Sequence, residues 1–95
     1  MITDEQCLSP HVAPPHKNCM RLRWHLPFKG VDRVRVLLWT CPCKAVVYEL
    51  CQAGGQVFIR RTLQHEDGSA VHETFRWSLS EACKVWSALL TGQAR

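Results

Sequence analysis

No stretch of this chain approaches eighteen uninterrupted apolar residues, so no transmembrane helix is predicted. The first residues, MITDEQCLSP, lack both the basic segment and the apolar segment of a secretory signal, and a cytoplasmic protein is expected. The catalytic signatures are missing too: there is no glycine-rich phosphate loop, no G-x-S-x-G and no H-E-x-x-H. Acidic residues are few. From position 21 onward they are Asp32, Glu49, Glu66, Asp67, Glu73 and Glu81. Glu66 and Asp67 belong to a turn signal and Glu81 to a helix start, which leaves Glu49 and Glu73 without an evident role as a catalytic pair. These absences point away from an enzyme and toward a module that works by binding.

The 95 residues suit one domain, and 46% of them are hydrophobic. Charge is unevenly spread. Residues 1–20 hold Asp4, Glu5 and Lys17, whereas residues 21–95 hold eleven of the 12 Lys and Arg, so the folded part is the basic part. The first 19 residues carry Pro10, Pro14 and Pro15 and show no periodicity, which predicts a flexible, proline-containing arm before a single domain over 20–95.

From Met20 the pattern turns to period two, the mark of half-buried strands. RLRWHLPF, RVRVLLWTC, AVVYELCQ, VFIRRTLQ and VHETFRW read as five successive strands. FKGVD and CPCK separate the first three, while Gly54-Gly55 and Asp67-Gly68 supply hairpin turns. Ser78 and Glu81 fit a capping box, and Leu79, Ala82, Cys83, Trp86, Leu89 and Leu90 fall on one helical face that Gly92 ends. The expected fold is α+β: an antiparallel meander of four or five strands with one C-terminal helix on one face. This element order resembles, in topology and in no sequence motif, Whirly-type and transcriptional-coactivator folds that bind single-stranded DNA.

One helix covers one face. Alternation assigns Leu22, Trp24, Val34, Val36, Leu38, Val57, Ile59, Phe75 and Trp77 to it. The open face inherits Arg21, Arg23, Arg33, Arg35, Trp39, Phe58, Arg60 and Arg76, together with His25, Thr62 and His72. Arginines there would neutralise phosphates, and Trp39 and Phe58 would stack on bases, so single-stranded nucleic acid is the expected partner. The alternative is a protein-interaction or homodimer module using the same face, with a homo-oligomer expected and no membrane.

The six cysteines are expected to be reduced. Cys7, His11, His16 and Cys19 are spaced C-x3-H-x4-H-x2-C, close in length to a zinc knuckle, but three prolines intervene and no glycine turn is present. Cys41 and Cys43 offer two thiolates in one turn, which Cys51 or ligands from the arm would have to complete. The simpler reading places Cys41 at a strand end, Cys51 in the next strand and Cys83 on the buried helix face as small apolar groups. On that reading neither a metal nor a cofactor is assigned.

Overall fold

The structure is a computed structural model and describes residues 7–27 and 33–95. Four strands, β1 (Arg35–Trp39), β2 (Val46–Ala53), β3 (Gln56–His65) and β4 (Gly68–Glu73), precede one helix, α1 (Leu79–Leu90). The sheet is an antiparallel meander in the order β1-β2-β3-β4, with the helix packed on β3. The expected α+β class is therefore observed, with four strands.

Local chemistry accounts for the corners. Gly54 and Gly55 take φ of 56° and 79°, as the two-residue β2–β3 hairpin requires. The Ser78 side chain accepts from the Glu81 amide at the start of α1. At its end, Gln93 N–H donates to Ala88 and Gly92 N–H to Leu89, a Schellman closure with Gly92 at φ 82°.

The main core lies between sheet and helix. Tyr48, Leu50, Val57 and Ile59 meet Ala82, Trp86 and Leu89, with Trp24, Val46, Trp77 and Val85 at the margin. A smaller cluster of Cys51, Ala53 and Phe58, flanked by Val36, lies on the other side of the sheet. Burial of this apolar surface is the main stabilising term.

Four expectations are corrected. Among the described residues, 21–27 form no ladder strand. They form an extended segment joined to the C-terminus by isolated bridges, with Leu22 N–H donating to Arg95 and His25 exchanging both backbone bonds with Glu73. A register shift between Val36 and Leu38 reverses alternation in β1. Val36 then pairs with Cys51 on the face away from the helix, and Leu38 pairs with Leu50. A second irregularity follows β4, where Thr74 bonds Ile59 and Trp77 bridges Val57. It leaves Phe75 55% exposed against His25. In the helix, Cys83 and Leu79 are exposed and Val85 is half-buried at the core instead. The turn expected at 28–32 lies outside the described residues.

Residues 7–19 lie against the domain. Cys41 N–H donates to Pro10, Ala13 N–H to Leu90, and His16 N–H to Gly92, while the Arg95 guanidinium donates to the Ala13 carbonyl. Val12 packs onto the main core. The proline-rich arm is thus an extended strap from the helix end to the start of the β1–β2 connection.

Candidate functional site

The residues expected to form one basic, aromatic face are divided among three places. Trp24 enters the helix-side core, so the segment that carries Arg21 and Arg23 belongs to that layer. Arg35 pairs with Gln52, which also puts it on the helix side of the sheet, and Arg33 is exposed just before β1. Arg60, Phe58 and Trp39 do lie on the face away from the helix, as the pairs Arg60↔Glu49, Phe58↔Cys51 and Trp39↔Glu49 require. Arg76 joins them, its guanidinium 5.3 Å over the Phe58 ring.

That face is also less basic than the alternation implied. Arg60 Nε donates to Glu49 Oε1 at 3.0 Å, and the carboxylate holds the guanidinium above its usual range. Glu73 is paired with Arg60 from the other side, in β4. Phe58 is 1% exposed beneath Arg76, so its ring offers no platform for a base. His72 sits opposite Arg61 on the helix side, where the Arg61 guanidinium lies 4.3 Å from the Trp24 ring.

Exposed apolar surface collects instead around β1, at the edge of the sheet. Leu38 is 49% and Trp39 52% exposed, and Leu8 of the arm is fully exposed beside them. Two adjoining concavities form there. One, of about 220 Å³, is lined by Leu8, Pro10, Leu37, Leu38 and Trp39. The other, of about 490 Å³, is lined by Leu8, Ser9, Trp39, Cys41, Pro42 and Cys43. Among the described residues, the inter-element backbone bonds include none from 35–39 to anything but β2.

At the end of this strip the strap brings side chains to the CPCK turn. Lys44 N–H reaches toward the Cys41 carbonyl at 3.5 Å, with Pro42 and Cys43 as the central residues. Gln64 fastens the turn from β3, its amide donating to Pro42 at 3.3 Å and Lys44 at 2.9 Å. Thr40, buried just before it, accepts the Tyr48 N–H at 2.9 Å. The bond from Cys41 to Pro10 then sets Cys7 and His11, which flank Pro10, against the turn.

The result is one cluster of Cys7, His11, Cys41 and Cys43 whose sulfur and ring-nitrogen atoms all lie within 4.8 Å of one another. Cys7 Sγ is 3.7 Å from Cys43 Sγ, and His11 Nε2 is 3.2 Å from Cys43 Sγ. The Cys43 backbone N–H, followed by its thiol, pulls the Cys41 thiol down to about 6, while sharing hydrogen bonds with Cys41 pushes Cys7 up to about 12. The sequence motif Cys7-His11-His16-Cys19 is thereby split. His16 and Cys19 close their own turn beside the helix end, Cys19 N–H donating to His16. Cys51 is fully buried on the sheet and takes no part.

Comparison with known protein families, curated proteins and solved structures finds no match to this chain.

Proposed function

We propose that this chain is a non-catalytic protein-interaction module, and that it self-associates through β1 and the apolar strip beside it. The observation that supports this most is the half-exposed pair Leu38 and Trp39 on an edge strand whose outer hydrogen-bonding groups take no backbone partner among the described residues. An edge strand that combines exposed apolar side chains with free backbone groups is a template for pairing with another chain. Antiparallel pairing of β1 with its copy would extend the sheet across a two-fold axis, with Trp39 and Leu8 of each copy burying one another. Tryptophan is among the residues that most often anchor such interfaces.

Binding of single-stranded nucleic acid is the second reading. Its support is the basic balance of the chain and the exposed Arg21, Arg23, Arg33 and Arg35. The separation of Arg21, Arg23 and Arg35 from Arg60 and Arg76 on the other side of the sheet, and the pairing of Arg60 with Glu49, count against a single phosphate track.

Light scattering and sedimentation over a range of protein concentration test the first reading. A concentration-dependent dimer that persists in high salt and is lost in Trp39→Ala is expected, because apolar burial is not screened. A monomer at all concentrations would overturn self-association. Titration with a short single-stranded oligonucleotide, followed by tryptophan fluorescence, tests the second. Salt-sensitive quenching in that titration would revive nucleic acid as the partner.

A further inference from the structure

We propose that Cys7, His11, Cys41 and Cys43 form a closed, tetrahedral zinc site that fastens the N-terminal strap to the β1–β2 connection.

The spacing of the four donor atoms is that of tetrahedral zinc ligands. Two sulfurs each about 2.3 Å from zinc at a tetrahedral angle stand about 3.8 Å apart, and a sulfur and an imidazole nitrogen stand about 3.5 Å apart. Cys7 and Cys43 are 3.7 Å apart, Cys43 and His11 Nε2 are 3.2 Å apart, and all four donor atoms fall within 4.8 Å. Three sulfurs and one imidazole are a donor set that favours zinc over hard cations such as magnesium or calcium. Four protein ligands leave no open position, which marks a structural rather than a catalytic metal.

The surroundings are built to hold this set. Two ligands come from the strap and two from a proline-containing turn, 36 residues apart in the case of Cys7 and Cys43. Backbone bonding from Cys41 to Pro10 sets the two halves face to face, and Gln64 holds the turn through two carbonyls. Zinc is held by three thiolates and a neutral imidazole, any remaining thiol protons passing to water, which leaves the zinc–ligand unit with one net negative charge.

A disulfide is the competing chemistry. It would join two of the three cysteines and would need an oxidant, whereas a zinc ion takes up all four side chains.

The test uses the full chain, purified reduced and without chelator, with total metal measured per chain. One zinc per chain is expected. Cobalt added to the metal-free reduced chain is expected to bind with equal stoichiometry and to give the intense visible bands of tetrahedral thiolate coordination. Cys7→Ser and Cys43→Ser are expected to lose stoichiometric binding, whereas Cys19→Ser and Cys83→Ser keep it. His11→Cys is expected to bind still, with its cobalt bands shifted by the fourth thiolate. Should Cys41→Ser fail to fold, Cys7 on the strap and the exposed Cys43 still decide the matter. Three results would overturn the site: a reduced wild-type chain that takes up no cobalt, unchanged stoichiometry in Cys7→Ser and Cys43→Ser, or a metal-free purified chain with Cys7 and Cys43 disulfide-bonded.

Discussion

Gly92 stands directly against the carbonyl oxygen of Pro14, with no room between them for a β-carbon. The contact joins the end of the helix to the middle of the strap, and the His16 N–H bond to the Gly92 carbonyl closes it from the other side. Gly92→Ala meets two penalties at once, a positive φ of 82° and a collision with backbone. A loss of about 2 kcal/mol or more is expected from the strained conformation and the displaced strap. Urea unfolding of the two chains checks it. A difference below about 0.5 kcal/mol, the usual effect of a neutral surface change, would mean that the strap is not tightly seated.

Thr74 makes the irregularity after β4. Its hydroxyl accepts the Ile59 N–H at 3.0 Å and donates to the Phe75 carbonyl at 2.9 Å, and the residue is 2% exposed. Thr74→Val keeps the shape and strands the Ile59 donor in the core, at a cost of about 1–3 kcal/mol. Hydrogen exchange at the Ile59 amide is the direct readout. Protection equal to wild type would show that another acceptor replaces the hydroxyl.

The cysteines differ sharply in access. Cys83 is exposed on the outer side of α1, while Cys51 is fully buried and burial pushes its thiol up to about 11. Brief alkylation of the native reduced chain at neutral pH should therefore label Cys83 first and leave Cys51 untouched, because only an accessible thiolate reacts. Cys43 is also exposed. It should label with Cys83 in the metal-free chain and resist in the zinc-loaded one. Peptide mass mapping with and without chelator makes the comparison.

Glu49 and Arg60 form an ion pair on the face away from the helix, at 3.0 Å and about one quarter exposed on each side. Glu49→Gln is expected to cost about 1 kcal/mol or less, since solvent screens much of the attraction. Self-association through β1 should be unchanged by it, whereas affinity for a single-stranded oligonucleotide should rise if Arg60 reaches phosphate. Parallel sedimentation and fluorescence titrations of this variant separate the two surfaces.

Much of this architecture is legible in the residues. The period-two runs, the paired glycines at 54–55 and the capping serine at 78 name the strands, hairpin and helix through local preferences that act over a few positions. Face assignments fail where one extra residue enters a strand. The shifts at Val36/Leu38 and at Thr74 break the alternation, so Arg35, Val36 and His72 lie on the sides opposite to those that unbroken alternation gives, and no composition signal marks either place. Basic and aromatic residues that alternation collects on one surface are therefore divided among separate places, Arg21 and Arg23 because their segment lies outside the sheet and Arg35 because of the shift.

The sequence by itself determined the meander, the helix and the supply of ligand-type residues, because these follow from periodicity, turn chemistry and spacing. Only the tertiary structure decided which ligands meet. His11 lies nearer in sequence to His16 and Cys19, yet it joins Cys41 and Cys43, because prolines hold the strap extended and its carbonyl at Pro10 takes the Cys41 N–H. A site assembled from two distant segments depends on backbone pairing between them, and that pairing is a property of the folded chain rather than of either segment alone.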